Sequence, residues 1–284
     1  MHDVQQWQPP LTKGHSLPFV NKFTYLQKGE SVIRRKDPTE IEHIRASGQI
    51  VFSVQQKIEA LIAPGISTRE LDEIAETAIR EAGARPAFKG YHDFPASICA
   101  SVNASIVHGF PSDEPLVEGD IVSIDVGTEL NGYYGDGAFT IGVGSISAAA
   151  AHLIATTQQC LNLGIEQMLA DARLGDISHA IQTHAETAGY SIVREYGGHG
   201  IGRELHESPH INNYGHPGKG PRLKAGHVFC IEPILSMGNP EVEHEEDGWT
   251  VYTRDRSLTA HCEHTVAITE NGPEILTLPS TISI

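Results

Sequence analysis

The sequence predicts an α+β fold of two related halves, in which helices cover a central antiparallel sheet. Two observations lead to this prediction. Two helical patterns followed by a strand-rich stretch occur twice along the 284 residues. In addition, LVEGDIVSID at residues 116–125 aligns without gaps on LKAGHVFCIE at residues 223–232, which indicates an internal repeat. Each copy ends a predicted core strand in an acid, Asp125 in the first half and Glu232 in the second.

The first half opens with two helical patterns. Apolar residues recur at helical spacing over residues 38–61, and Pro64-Gly65 ends this segment. Ser67 and Glu70 form a capping-box pattern, which predicts a second helix over about residues 68–82. A strand-rich stretch then continues to residue 143.

The second half repeats this order of elements. Helical patterns cover about residues 147–171 and 176–188, and a second strand-rich stretch covers about residues 190–278. Residues 1–37 contain scattered proline and polar residues without periodicity, so we expect an N-terminal extension that is partly irregular. Residues 38–284 are expected to form a single domain.

Composition and charge exclude several classes of protein. The formal net charge of −16 argues against nucleic acid or an anionic membrane as the main partner, although residues 1–37 carry six Lys or Arg against three acids. Neither an apolar run long enough to span a membrane nor a signal-peptide pattern is visible. The cysteines lack C-x-x-C spacing, and reduced thiols suit a cytoplasmic protein. They are Cys99, Cys160, Cys230 and Cys262.

Two aspartates stand in a predicted β-hairpin, where a buried charge needs compensation. Asn131-Gly132 is a strong signal for a two-residue turn, and folding the chain there pairs Asp125 with Ala138. Asp136 then lies diagonal to Asp125 on the same face, roughly 7–8 Å away at the backbone. Two ionised carboxylates at this distance repel each other. Either one of them is protonated or a cation lies between them.

Further groups of the same chemistry come from the second half. The glycine-dense segment YGGHGIGRELHE, residues 196–207, presents His199 and His206, and the alternating segment TAHCEHTVAIT presents Glu263. A carboxylate dyad without metal leaves His199 and Glu263 unexplained. One imidazole with four carboxylates instead suits a pair of Mn, Fe, Co or Zn ions, which activate a water for attack on a carbonyl. The candidate ligands are Asp125, Asp136, His199, Glu232 and Glu263.

Over about residues 33–278 the sequence resembles the type I methionine aminopeptidases of the pita-bread fold. The segments that carry the resemblance are IEHIRASGQI, VNASIVHGFP, GDIVSIDVG, GYYGDGAF, GGHGIGRELHE, FCIEPI and DGWTVYTRDRSLTAHCEHTVAIT. The resemblance implies that residues 38–284 form one catalytic pita-bread domain with two pseudo-symmetric halves. It also implies five metal ligands, which fall on the same five residues.

The resemblance further implies a role for each ligand and for two histidines. Asp136 and Glu263 are expected to bridge two divalent ions, Asp125 to chelate one ion, and His199 and Glu232 to hold the other. Glu232 would also act as general base. Of the two histidines, His108 would contact the scissile amide nitrogen or assist the leaving group. His206 would donate to the substrate carbonyl and stabilise the oxyanion.

An apolar pocket for methionine is implied by the same resemblance. The family positions fall on Phe88, Tyr91, Phe94, Cys99, Leu205 and Trp249. Leu205 replaces a bulky aromatic residue, Phe88 a frequent small residue or Cys, and Gly137 a Thr or Ala, so the pocket shape is expected to differ from that of relatives. A monovalent cation site is a further expectation, near Asn103, Ser105 and Thr259.

The expected function is removal of the initiator methionine from nascent chains whose second residue is small. The expected partners are nascent N-termini, with a transient ribosome contact through the basic leader and without DNA or a membrane. We expect a cytoplasmic monomer.

Two alternatives share the pita-bread fold. Proline-directed aminopeptidases tend to carry a further N-terminal domain and an acid at the position of His264, whereas only about 37 residues precede the catalytic region here. An inert binding module would have lost ligands, and all five are present.

Overall fold

The computed structural model describes residues 32–279. Within this range the helices are α1 (Pro38–Glu59), α2 (Thr68–Glu81), α3 (Ala148–Glu166) and α4 (Leu174–Thr187). The strands of the same range are β1 (Arg85–Pro86), β2 (Ile98–Val102), β3 (Ser105–Val107), β4 (Ile121–Leu130), β5 (Tyr133–Gly142), β6 (Ser191–Ile192), β7 (Gly197–Gly200), β8 (Glu207–Asn212), β9 (Val228–Ile231), β10 (Ile234–Ser236), β11 (Val242–His244), β12 (Val251–Thr253), β13 (Thr259–His261), β14 (His264–Thr269) and β15 (Gly272–Ile275). The predicted α+β class with two related halves is confirmed.

The helices begin where the sequence places their caps. Asp37 forms a capping box with Glu40 at the start of α1, and Ser67 forms one with Glu70 at the start of α2. The end of α1 differs from the prediction, because the helix stops at Glu59 and Leu61 is exposed beyond it. Pro64 disfavours helical geometry in the residue before it, so the chain turns ahead of the proline.

The first hairpin has the register that the sequence predicts. Asp125 pairs with Ala138 and Leu130 with Tyr133, while Asp136 lies opposite Gly127, diagonal to Asp125. Asn131 and Gly132 both have positive φ, at 54° and 82°, as a type I′ turn requires. The two aspartates are therefore on one face of the β4–β5 hairpin.

The internal repeat of the sequence is a repeat of structure. Gly119 donates its backbone N–H to Val143 at 3.0 Å, and its counterpart Gly226 donates to Ile268 at 2.8 Å. Both glycines have positive φ, at 98° and 92°, which few other residues adopt. After each glycine a core strand pairs antiparallel with a partner, β4 with β5 in the first half and β9 with β14 in the second.

The two halves join where β5 meets Glu263, the residue between β13 and β14. Ala138 and Glu263 exchange both backbone hydrogen bonds, at 3.2 and 2.8 Å. The hydroxyl of Thr265 bonds the backbone N–H and C=O of Asp136, and the hydroxyl of Thr140 does the same for His261. We call this contact the seam. Its antiparallel pattern relates Asp136 to His261 and Thr140 to Thr265 by an approximate twofold axis.

Each half packs its helices on its own strands. In the first half, buried residues of α1 and α2 such as Val51 and Leu71 cluster with Ile124 of β4. In the second half, Leu161 of α3 and Ile181 of α4 cluster with strands β9 and β14. Burial of these apolar surfaces is the main favourable free-energy term that holds the helices on the sheets.

The described part of the predicted extension, residues 32–37, contacts the second half. The backbone N–H of Lys36 donates to Gly226 at 2.7 Å, and the guanidinium of Arg35 donates to the carbonyl of Ala225 at 2.7 Å. Residues 1–31 and 280–284 lie outside the described residues. No helix among residues 32–279 has the length and hydrophobicity to cross a membrane.

Helix α1 approaches the hairpin so closely that β5 needs a glycine at the contact. A Cβ added to Gly135 of β5 would lie 2.6 Å from the backbone nitrogen of Gly48 in α1. We expect Gly135→Ala to lower the free energy of unfolding by about 2 kcal/mol, because two backbones would have to separate. Denaturant unfolding monitored by circular dichroism measures the change.

Gly137→Ala is the matched control on the same strand. A Cβ there would meet Gln55 and Val51 side-chain atoms at 3.2 and 3.3 Å, which can move aside. A loss as large as that of Gly135→Ala would contradict the role assigned to the close approach of α1.

Candidate metal centre

Carboxylate, imidazole and thiol side chains from both halves meet at the seam. Donor atoms of Asp136, His199, Cys230 and Glu263 all lie within 4.8 Å of one another. Glu232 adjoins this group, with its Oε1 3.6 Å from Nε2 of His199. Asp125 lies diagonal to Asp136 on the same face of the β4–β5 hairpin. All five residues of the predicted ligand set are therefore close together.

Backbone geometry holds each of the acids in place. Asp136 is fixed by Thr265, whose hydroxyl accepts from its N–H at 3.0 Å and donates to its C=O at 2.7 Å. Glu263 is fixed by its two backbone bonds to Ala138. Glu232 follows directly after β9, in the strand position that corresponds to Asp125 in the repeat.

His199 lies on a strand that only glycine neighbours permit. A Cβ on Gly198 would lie 2.2 Å from the carbonyl oxygen of Cys230, so β7 can approach β9 only without a side chain there. Nδ1 of His199 lies 2.9 Å from the carbonyl of Gly200, to which it must donate. The lone pair of Nε2 therefore faces Glu232 and Asp136, at 3.6 and 3.9 Å, as a metal ligand requires.

Burial controls the protonation of the whole group. It raises the pKa of Asp125 to about 7 and raises the pKa of Asp136, Glu232 and Glu263 well above the usual range. The surrounding carboxylates add to the shift for Asp136, with Glu263 the largest contributor after burial. Burial also lowers the pKa of His199 to about 4, so its imidazole is neutral at pH 7.

The residues present fit a pair of divalent ions. Oδ1 of Asp125 and Oε1 of Glu263 are buried and have no hydrogen-bond partner among the described residues, which is costly unless a cation or water takes them. An oxygen-rich donor set with one imidazole matches the preferences of Mn, Fe, Co and Zn.

Two features near the ligands escaped the sequence analysis. Cys230, whose spacing gave no metal-site signal, belongs to the four-residue donor group, and its Sγ lies 3.6 Å from Oγ1 of Thr265. Its position two residues before Glu232 is the signal that could have identified it. His261 is not among the candidate residues of the sequence analysis. Its buried Nε2 lies 3.8 Å from Oε2 of Glu232 and 4.0 Å from Oε2 of Glu263.

The structure places the two predicted catalytic histidines beside the ligands. The ring of His206 lies 4.3 Å from that of His199, and its Nδ1 is 2.9 Å from the hydroxyl of Tyr91. His108 has a positive φ of 58° and contacts the rings of Tyr196 and Trp249 edge-on. Burial lowers the pKa of His108 to about 4 and that of His206 well below its ordinary value.

Three of the six predicted pocket residues form one aromatic cluster. Phe94 is its centre, with ring distances of 5.0 Å to Trp249 and 6.5 Å to Phe88. Phe110, which the sequence analysis did not name, joins at 5.3 Å from Phe94. Cys99 is buried on β2 opposite Asp125.

Leu205 is buried in the loop directly before His206. This loop is held by Glu207 and by Gly202. One carboxylate oxygen of Glu207 accepts from Nζ of Lys36 at 2.7 Å, and the other accepts from the backbone of Arg203 at 2.8 Å. Tyr134 of β5 donates to Gly202 at 2.9 Å. The Lys36 side chain is almost fully buried, so residues next to α1 help to fix the position of His206.

The three residues expected near a monovalent cation lie together. The hydroxyl of Thr259 is 3.3 Å from the carbonyl of Asn103 and 2.9 Å from that of Ser105. Asn103 has a positive φ of 55°, which turns its carbonyl toward β13.

Comparisons with known proteins show which family the chain resembles in sequence and fold. The family model described as Metallopeptidase family M24 matches residues 42–270. A methionine aminopeptidase of Clostridium acetobutylicum is 50% identical over 244 residues, which cover 86% of this chain and 98% of the relative. The crystal structure of the Thermotoga maritima methionine aminopeptidase superposes with a TM-score of 0.86 at 43% identity, covering 87% of this chain and 100% of that one.

Similarity to a prolidase is lower. The Pyrococcus furiosus prolidase superposes with a TM-score of 0.71 at 26% identity, and the match covers 86% of this chain but 65% of the prolidase. The two methionine enzymes are thus matched over nearly their whole length, whereas about a third of the prolidase has no counterpart in the match.

Metal binding should release protons. Burial keeps protons on carboxyls such as Asp125, and ions bind the deprotonated form, so we expect Mn(II) affinity to rise from pH 5.5 to 8. His199 adds no proton in this window, because its lowered pKa already keeps it neutral. Calorimetric titration of chelator-treated protein with Mn(II) measures the affinity at each pH. At pH 6.5, the same titration in two buffers of different ionisation enthalpy gives the number of protons released for each ion bound. Affinity that falls with rising pH would contradict the protonation states described above.

Proposed function

The chain belongs to metallopeptidase family M24, and from this premise we propose that it is a methionyl aminopeptidase that removes the N-terminal methionine from proteins and peptides. The observation that carries the proposal is the convergence of four carboxylates and one neutral imidazole beside a buried aromatic pocket. The ligand set supplies a hydrolytic centre, and the pocket supplies an apolar place for one side chain.

We assign the five ligands to two divalent ions of the Mn, Fe, Co or Zn type. Asp136 and Glu263, which lie nearest the seam, would bridge the ions, with Asp125 on one side and His199 and Glu232 on the other. Bound ions of this type polarise the scissile carbonyl and lower the pKa of a water. We also propose that a monovalent cation binds near Asn103, Ser105 and Thr259.

His206 is assigned the role of donor to the substrate carbonyl. Its imidazole is neutral, so it carries one N–H, and the Tyr91 hydroxyl can donate to Nδ1 and keep that hydrogen on Nε2. A donor aimed at the position where negative charge develops stabilises the transition state. Glu232 is assigned as general base because its carboxylate lies beside the donor group, with its Oε1 3.6 Å from Nε2 of His199.

His108 and the aromatic cluster are assigned to substrate positioning. His108 contacts Trp249, which in turn contacts Phe94. A continuous row of rings therefore connects the histidine proposed to contact the scissile amide with the proposed side-chain pocket. Tyr91, Phe88, Cys99 and Leu205 complete this pocket, where aromatic rings and a thiol suit a thioether. We also propose that the second residue of the substrate must be small.

The remaining assignments concern the chain as a whole. We propose that residues 38–284 form the catalytic domain, and that the basic leader, residues 1–37, is an extension able to contact the ribosome. Nascent N-termini are the proposed substrates, and a cytoplasmic monomer is the proposed state.

Release of methionine from Met-Ala-Ser, followed by mass spectrometry, tests the function. We expect release that depends on added Mn(II) or Co(II) and is lost in Asp136→Ala, because that variant removes a shared ligand of both ions. An Ala-Pro-Ala peptide runs beside it and should stay intact. Cleavage of the proline peptide alone would indicate the prolidase branch, and cleavage of neither peptide by metal-loaded protein would indicate a binding module.

Tyr91→Phe tests the tautomer assignment of His206. Loss of this hydrogen bond should lower kcat for Met-Ala-Ser roughly 3- to 10-fold with KM little changed, since a neutral hydrogen bond contributes about 1 kcal/mol. Tyr190→Phe is the matched control, because Tyr190 pairs with Nδ1 of His152 at 2.6 Å on the surface. Equal effects of the two substitutions on kcat would contradict the assignment.

A further inference from the structure

We propose that His261 is a positioning residue of the metal centre, which donates its Nε2 hydrogen to the carboxylate of Glu232 and so orients that ligand. The inference rests on the function proposed above. It places a second imidazole beside Glu232, in addition to that of His199. Three observations on residues 32–279 support it.

The approximate twofold axis of the seam places His261 at the counterpart of a proposed metal ligand. Asp136 on β5 and His261 on β13 each have their backbone N–H and C=O bonded by one threonine hydroxyl, Thr265 for Asp136 and Thr140 for His261. Side chains two positions apart on a strand share a face. His261 therefore points to the same side as Glu263, into the centre.

Within residues 32–279, Nε2 of His261 is buried and has no hydrogen-bond partner. The carboxylate oxygens facing it belong to Glu232, at 3.8 Å, and Glu263, at 4.0 Å. Metal ions bind carboxylates in the ionised form, which only accepts hydrogen bonds, so in the metal-bound centre the nitrogen that faces both carboxylates is stable as an N–H donor.

The position of Glu232 suits a supporting role for His261. Glu232 lies between two imidazoles, with its Oε1 3.6 Å from Nε2 of His199 and its Oε2 3.8 Å from Nε2 of His261. A carboxylate that binds a metal through one oxygen is oriented by a hydrogen bond to the other.

The experiment compares His261→Gln, which keeps an N–H donor, with His261→Leu, which keeps the volume and removes the donor. Mn(II) affinity is measured by calorimetry on chelator-treated protein without peptide, and kcat and KM are measured with Met-Ala-Ser. Loss of a group that supports a ligand costs about 10- to 100-fold in affinity or activity. We expect His261→Leu to lose Mn(II) affinity and kcat by this factor with KM little changed, and His261→Gln to stay within about fivefold of the unsubstituted chain.

His227→Leu is the matched control for replacing a buried histidine. Nδ1 of His227 accepts from Lys224 at 3.3 Å, and its ring packs on Phe229, with no ligand residue among these contacts. Mn(II) affinity of this variant should be unchanged. Circular dichroism verifies that each variant is folded before the titration.

Two results would overturn the proposal. Unchanged Mn(II) affinity and kcat in folded His261→Leu would show that Glu232 needs no donor. An equal loss in His261→Gln and His261→Leu would show that His261 acts as a ligand or by its shape. Because Mn(II) affinity is measured without peptide, it still decides the role of His261 if the unsubstituted chain binds the metal and fails to release methionine.

Discussion

The seam between Ala138 and Glu263 is the contact on which the site depends. Two backbone hydrogen bonds there join segments of the two halves that are far apart in sequence. Threonine hydroxyls on either side bond the backbones of Asp136 and His261, which fixes the strands against sliding. A shift of one residue would turn the site residues of these strands to the opposite face. The seam therefore sets which side chains meet as well as the pairing of the two halves.

Gathering carboxyl groups at the seam has an electrostatic consequence. Burial raises the pKa of each carboxyl, while the nearby imidazoles of His199 and His261 are held neutral, with pKa values lowered to about 4 and about 3. Neutral imidazoles cannot compensate several ionised carboxylates. The group is therefore stable in either of two states, with protons on the acids or with cations between them. The same two states follow from the positions of Asp125 and Asp136 in the β4–β5 hairpin alone. A site of this kind exchanges protons for metal, and its affinity follows pH.

Close backbone approach and an anchored loop complete the environment of the ligands. Glycines at 135 and 198 let α1 rest on β5 and let β7 lie against β9, so His199 reaches the seam from a neighbouring strand. The loop with His206 is held by Glu207, whose charge is compensated by the buried ammonium of Lys36. A buried carboxylate without such a partner would be destabilising. The residue just before α1 is thus structurally coupled to the side chain proposed to contact substrate.

Local sequence patterns predicted the order of helices and strands, the hairpin register and the candidate ligand set. Asn131-Gly132 specified the turn, period-two alternation placed Asp125 and Asp136 on one face, and the repeat paired Asp125 with Glu232. These features depend on residues close together in the chain. The inclusion of Cys230 in the donor group and of Phe110 in the aromatic cluster, and the position of His261, depended on contacts between distant segments. Only the tertiary structure could decide them, because the seam that aims His261 at Glu232 joins two strands that no local pattern pairs.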